Sequence, residues 1–138
     1  MTVSLSVTFA NDQSEVGKLS RLVEAFGDVH DLAPQSIFSV NLALEEVVTN
    51  IIRYAYNDNG LPHPIVVRLA CEDGVLAAQV EDDGRAFNPL DAPPPDVGAS
   101  LEERPIGGLG IHLVRSMMDS VEYRRDHGRN VFIMKKRL

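Results

Sequence analysis

The sequence predicts an α+β fold in two layers, with a mixed, largely antiparallel sheet and helices packed on one of its faces. Strand-like segments alternate with three helical segments, and two of the four consecutive strand pairs are close enough along the chain to form hairpins. The chain has 138 residues and no internal repeat, which is enough for one domain with a real core. We therefore expect residues 1–138 to form a single domain.

The first half predicts a strand and two helices. Apolar residues occupy every second position in 3–9, the signature of a half-buried strand. Apolar residues at helical spacing in 14–26 predict the first helix, with Gly27 as its C-terminal cap. The second helix is predicted to begin at Pro34, a favoured first-turn residue, and to continue to about Tyr56.

The second half predicts a hairpin, a long loop, a third helix and two closing strands. Two strand-like runs meet at Asp73-Gly74, a dipeptide that tight two-residue turns prefer. Residues 88–107 are rich in Pro and Asp and lack periodicity, which is typical of a functional lid or of disorder. The third helix should follow in 108–121, with strands near 121–125 and 130–136.

Composition excludes several classes of function. The net charge of −7 argues against direct nucleic-acid binding, because phosphate contacts require clustered Lys and Arg. No segment has the roughly 18 to 20 apolar residues of a membrane span, and the N-terminal segment lacks a signal-peptide pattern, so we expect a cytoplasmic protein without membrane contact. Cys71 is the single cysteine, so neither a disulfide framework nor a thiolate metal site is expected.

The second helix combines an apolar band with a polar stripe made of Glu46, Asn50 and Arg53. Taken alone, this stripe is most simply a solvated face. Asn is the less ordinary member, because it is a mediocre helix former and its amide oxygen is a good ligand for hard cations.

Two further patterns suggest ligand contacts. In "VEDDGRAF" a hydrophobic strand ends in carboxylates, Asp82 among them, and Gly84 allows a close approach or simply a turn. In "IGGLGIHLV" the glycines 107, 108 and 110 precede a helix, whose free N-terminal amides bind phosphate well.

In this order, the three patterns resemble the N, G1 and G2 boxes of the GHKL (Bergerat-fold) ATPases. The segments "LALEEVVTNIIRYAY", "DDGRAFNP" and "GGLGIHLVRSMMDSVEY" are similar to those of the stand-alone anti-sigma-factor serine kinases of bacteria. The resemblance covers nearly the whole chain.

The resemblance implies a role for each matching residue. Asn50 would hold Mg²⁺ at the phosphates of ATP, and Glu46 would act as the general base. Arg53 matches a basic position that reaches phosphate. Asp82 would accept a hydrogen bond from the adenine amino group, with Gly84 giving the base room. Gly108 and Gly110 would present amides to the phosphates beneath a lid at about 88–107.

Two positions depart from the family pattern. Ala86 stands where many members have a second glycine, and Asn130 stands where many have a threonine near the adenine. Neither departure affects the predicted metal ligand or base.

Three functions follow from the resemblance. The first is a kinase that binds a sigma factor and phosphorylates a serine or threonine of a STAS-type anti-anti-sigma partner. The second is an ATP-dependent binding switch without phosphate transfer. The third is an ATPase subunit or a detached sensor-kinase domain. Glu46 beside Asn50 favours the kinase, because a pure binder needs no base. Members of this kind are dimers, so we expect a homodimer that uses the first strand and the adjoining helix surface.

Overall fold

A computed structural model describes residues 3–56, 60–91 and 110–138 of the chain. The predicted order of strands and helices is confirmed in these ranges. The elements are β1 (Val3–Ala10), α1 (Val16–Val29), α2 (Pro34–Tyr54), β2 (Pro64–Glu72), β3 (Val75–Asp82), α3 (Gly110–Met117), β4 (Ser120–Asp126) and β5 (Arg129–Arg137). None of the helices in these ranges combines the length and apolar character that crossing a bilayer requires.

The five strands form one open sheet in the order β1-β2-β3-β5-β4, with every neighbouring pair antiparallel. The β2–β3 hairpin turns at Asp73 and Gly74, whose φ angles of 53° and 75° lie in the left-handed region that this turn requires. Antiparallel pairing of β3 with β5 places Asp82 directly opposite Asn130. The predicted α+β class is therefore confirmed, and the sheet brings two distant polar residues together.

The core lies between one face of the sheet and the helices. Side chains on alternate positions of β2, β3 and β5 are buried there, among them Leu69, Val80 and Phe132. Helix α2 is the central helix of this layer, since it packs against α1, α3 and β3. From Ser39 to Ile51 it is buried over most of its circumference.

The predicted cap at Gly27 is wrong, because α1 continues through Gly27 to Val29. Gly27 is buried, and a Cβ at this position would lie 2.4 Å from Ile37 Cδ1 of α2. Glycine is needed here because the two helices approach closely, and not because the helix ends.

The predicted lid overlaps the described residues only at 88–91. Pro89–Asp91 form a single 3-10 turn, and Leu90 packs against the core. This turn begins with a local hydrogen bond, since Leu90 N donates to Asn88 Oδ1 at 2.9 Å. The rest of the predicted lid, 92–107, lies outside the described residues.

Candidate functional site

The polar stripe of α2 is not a solvated face at its centre. The side chain of Asn50 is only 2% exposed, and its Nδ2 atom has no hydrogen-bond partner. One turn earlier, Glu46 is half-buried and its Oε2 atom is also buried without a partner. Only Arg53, in the last turn of the helix, is exposed. An unpaired buried polar atom is costly, so two of them on adjacent turns are typical of a site that a ligand completes.

Burial and two neighbouring charges influence the pKa of Glu46. Burial raises the pKa of Glu46, repulsion from Glu45 adds to this, and attraction to Arg53 opposes it. A carboxylate with a raised pKa accepts a proton more readily than an exposed one, provided that it stays ionised at working pH.

The amide of Asn50 could supply one ligand to a hard cation that takes its other oxygen ligands from elsewhere. Among residues 3–56, 60–91 and 110–138, no group of three or more His, Cys, Asp or Glu side chains is placed to hold a metal. An amide side chain can nevertheless supply one oxygen to Mg²⁺, which in nucleotide sites takes its remaining ligands from phosphate and water. Rotation of the Asn50 amide exchanges its nitrogen and oxygen, so its unpaired atom fits this role.

Asp82, at the end of β3, has one satisfied and one unsatisfied oxygen. Its side chain is 1% exposed. Oδ1 accepts hydrogen bonds from Gly84 N at 2.9 Å and from Asn130 Nδ2 at 2.8 Å. Oδ2 is buried and has no partner. Burial raises the pKa of Asp82, while the hydrogen bonds from Asn130 and Gly84 oppose that rise. The arrangement presents a single acceptor atom, as recognition of an amino group requires.

The turn after β3 is fastened to the end of α2. Arg85 N donates to Ala55 O at 2.9 Å, and Arg85 Nε donates to Tyr54 O at 2.7 Å. A Cβ on Gly84 would lie 2.5 Å from Ala55 O. The described contacts therefore explain Gly84 by its packing against the helix, a reason that differs from the predicted room for a base. They bring the Asp82 turn to the helix that bears Glu46 and Asn50.

The structural importance of Asn130 is not evident from the sequence, where it is only a departure from the family pattern. It is 2% exposed and lies at the centre of five side-chain hydrogen bonds that join β3, β4, β5 and the turn after β3. The available signal was its place in β5, where it occupies the inward-facing register of Phe132 and Met134. A polar residue in that register requires partners inside the fold.

A second pair beside the turn was also not predicted. His63 Nδ1 lies 3.1 Å from Asp83 Oδ1, and the His63 ring stacks on Tyr56 with 4.7 Å between ring centroids. Asp83 follows Asp82 at the end of β3, and His63 precedes the first residue of β2, so the pair joins the ends of two neighbouring strands beside Asp82.

The predicted glycine-rich phosphate contact is only partly described. Gly110 is the first residue of α3, as expected for an amide at a helix N-terminus, whereas Gly108 lies outside the described residues. Ala86 is exposed within the turn after β3.

Comparison with known proteins gives a consistent family. The family model of the histidine kinase-like ATPase domain matches residues 9–136. Serine-protein kinases RsbW from Bacillus mycoides (strain KBAB4) and Bacillus cereus (strain AH820) are 27% and 28% identical over 123 residues, covering 86% of this chain and 71% of each relative.

A solved structure agrees in fold. The crystal structure of the RsbU and RsbW domains of a Mycobacterium tuberculosis protein has a TM-score of 0.72 and 16% sequence identity to this chain. The match covers 99% of this chain but 32% of the solved one, so the chain spans about a third of that protein.

Proposed function

Since the chain belongs to the histidine kinase-like ATPase domain family, we propose that it is an ATP-dependent anti-sigma regulatory factor with protein serine/threonine kinase activity. Its acceptor would be a serine or threonine of a STAS-type anti-anti-sigma partner, and its regulatory target a sigma factor. The observation that supports this most directly is the pair of unmet polar atoms on α2, Glu46 Oε2 and Asn50 Nδ2, one turn apart.

In the proposed site, one group of residues contacts the adenine base and another contacts the phosphates. Asp82 Oδ2 accepts a hydrogen bond from the adenine amino group, because it is a buried acceptor without a protein donor at the end of β3. Asn50 would hold Mg²⁺, which would supply neutralisation of the phosphate charge. Arg53 adds a positive charge from the last turn of α2, and the amide of Gly110, the first residue of α3, donates to a phosphate oxygen. Gly108, which lies outside the described residues, is assigned the same role by the family resemblance alone.

Transfer needs one proton acceptor. The acceptor hydroxyl oxygen forms a bond to the γ-phosphorus, the bond from that phosphorus to the bridging oxygen of ADP breaks, and ADP leaves with the bonding electrons. The hydroxyl proton passes to Glu46, whose raised pKa strengthens it as a base. Positioning and charge neutralisation supply most of the remaining rate enhancement.

The proposal includes a homodimer in the cytoplasm. Strand β1 is the end member of the described sheet and pairs only with β2 within the described residues, so its outer edge is available to a second copy. Light scattering at micromolar concentration should give twice the chain mass, with and without ATP. A monomer under both conditions would contradict this part of the proposal.

The test of the kinase compares three variants with wild type. Phosphate transfer from labelled ATP to STAS proteins of the same genome is followed, with a no-partner control for hydrolysis. Glu46→Gln should retain Mg·ATP binding but lose transfer by about 10²-fold or more, because it removes the base and keeps the shape. Asn50→Ala should weaken Mg²⁺-dependent binding itself. Glu45→Gln is the matched control, since it removes the neighbouring charge and leaves Glu46 in place.

Three results separate the alternatives. Equal transfer by wild type and Glu46→Gln would show that Glu46 is not the base. Tight ATP binding without transfer to any partner would support a binding switch. Rapid hydrolysis that no partner alters would favour an ATPase subunit.

A further inference from the structure

We propose that Asn130 is a positioning residue that makes the Asp82 site selective for adenine, by donating to Asp82 Oδ1 so that the carboxylate form is favoured and Oδ2 is left as the acceptor for a ligand. This inference rests on the proposed nucleotide site and deepens it. It assigns to Asn130 an effect on base selectivity that is exerted through Asp82, without a contact of its own to the nucleotide.

Every polar atom of the Asn130 side chain is already engaged within the protein. Nδ2 donates to Asp82 Oδ1 at 2.8 Å and to Arg85 O at 2.7 Å. Oδ1 accepts from Phe87 N at 3.1 Å, from Tyr123 Oη at 2.6 Å and from Arg125 Nη1 at 3.0 Å. An amide nitrogen has two hydrogens, so both are used and none remains for a ligand.

The same contacts fix the orientation of the amide. Three donors surround the oxygen, and two of them, the Phe87 amide and the Arg125 guanidinium, cannot accept a hydrogen bond. Reversing the amide would oppose its NH₂ group to these donors and its oxygen to Asp82 and Arg85 O. The donor of Asn130 therefore faces Asp82 in the only orientation that satisfies the network.

This orientation determines what Asp82 can recognise. Gly84 N and Asn130 Nδ2 both donate to Oδ1, and hydrogen bonds donated to a carboxylate favour its ionised form over the neutral acid. The remaining oxygen, Oδ2, faces a ligand amino group as an ionised acceptor and repels a carbonyl oxygen. Adenine has an amino group at carbon 6, whereas hypoxanthine has an oxygen there.

Charged neighbours support the ionised form only weakly. Asp83 repels the Asp82 charge, Arg125 attracts it, and burial raises the pKa of Asp82. Hydrogen bonds from Asn130 and Gly84 are the main opposing influence. Arg125 also donates to Gly84 O at 2.8 Å, so the network fixes the position of the turn as well as the carboxylate.

The test uses Asn130→Asp, which is nearly isosteric and replaces the donor with an acceptor. Two carboxylates about 2.8 Å apart will share one proton, so Oδ2 ceases to be a purely anionic acceptor. Calorimetry with ADP and inosine diphosphate, each with Mg²⁺, measures the affinity ratio. We expect wild type to prefer ADP and the variant to lose about ten-fold or more of that preference.

Proton exchange provides a readout that a merely structural role would not change. Calorimetry in two buffers of different ionisation enthalpy should show that ADP binding to Asn130→Asp is linked to proton exchange, because the affinity of the paired carboxylates for their shared proton depends on the group that faces Oδ2. Wild type should exchange few protons. Asn41→Asp is the matched control, since Asn41 is also a buried asparagine, on α2, with Nδ2 donating to Ser20 O at 3.3 Å.

The outcomes are distinct. If wild type binds neither nucleotide, the proposed function fails and this inference fails with it. If wild type prefers ADP and the folded Asn130→Asp variant keeps the same ratio, only the role of Asn130 is overturned. If Asn130→Asp does not fold, Asn130→Ser replaces it, because serine shortens the side chain without adding charge. In that variant an unchanged ratio would equally overturn the role, and a ratio lowered by about three-fold or more would support it.

Discussion

Replacing Asp82 with asparagine should reverse the base preference of the site. The two donors at Oδ1, Gly84 N and Asn130 Nδ2, will select the amide oxygen of the new side chain. Its NH₂ group then takes the position of Oδ2, the atom that has no protein partner. A donor will face the adenine amino group where an anionic acceptor stood before, while the oxygen of a 6-oxo base finds a partner.

The magnitude follows from the exchange of hydrogen bonds. Loss of a bond to a charged acceptor costs about 1.5 to 3 kcal/mol, which lowers ADP affinity by about ten-fold to 150-fold. A new neutral bond to the oxygen of inosine diphosphate contributes about 0.5 to 1.5 kcal/mol. Because the two effects act in opposite directions on the two ligands, the affinity ratio should change by about 30-fold or more.

Competition calorimetry with Mg²⁺, ADP and inosine diphosphate measures that ratio directly. Circular dichroism confirms that the variant is folded. An equal loss of affinity for both nucleotides would mean that Asp82 supports the turn and does not read the base, and unchanged ADP binding would remove Asp82 from the site altogether.

Three further predictions concern stability and the lid. Burial raises the pKa of Asp82, so the folded state holds the proton more tightly and the free energy of unfolding should fall as pH rises above about 4. The free energy of unfolding of Asp82→Asn should lack this pH dependence and should exceed that of wild type at pH 7. Denaturation curves with the same pH dependence in both proteins would contradict this prediction. Gly84→Ala should lower the free energy of unfolding by about 1 to 3 kcal/mol, because its Cβ would lie 2.5 Å from a backbone oxygen. Gly17→Ala, with nothing within 4 Å, should leave stability unchanged or raise it by up to about 1 kcal/mol, so equal losses in urea titrations would refute the packing argument. Hydrogen exchange in 88–107 should slow when ADP and Mg²⁺ bind, whereas strong protection without nucleotide would identify a structural loop.

Local patterns predicted most of the fold. Alternation located β1, and two strand-like runs meeting at Asp73-Gly74 located the β2–β3 hairpin, because these signals depend on residues adjacent in the chain. Gly27 misled for the opposite reason. Its position after a run of helical residues is typical of a C-terminal cap. Glycine is required there because the side chain of Ile37, on another helix, leaves no room for a Cβ, and the residues around Gly27 in the sequence do not indicate that contact.

The sequence predicts which residues form the candidate site better than it predicts their burial and their contacts. Sequence pattern alone identifies Glu46, Asn50 and Asp82 as candidate site residues, and their roles are predictions. The burial of Asn50 was not foreseen, because a helical wheel ranks faces within one helix and does not know that α2 packs against α1, α3 and the sheet together. Asn130 meets Asp82 across 48 positions of sequence, a contact that only the strand register creates.

The central position of α2 ties the evolution of this protein to its function. Asn50 lies on the most buried stretch of the core helix, where an unpaired amide costs about 1 to 3 kcal/mol. If Asn50 holds the metal as proposed, selection for nucleotide use retains that cost. A lineage released from such selection would gain stability by drifting to an apolar residue at this position, as proteins commonly do when a strained functional group is no longer needed. In such a lineage, loss of activity would be accompanied by an apolar residue at position 50 and a more stable core.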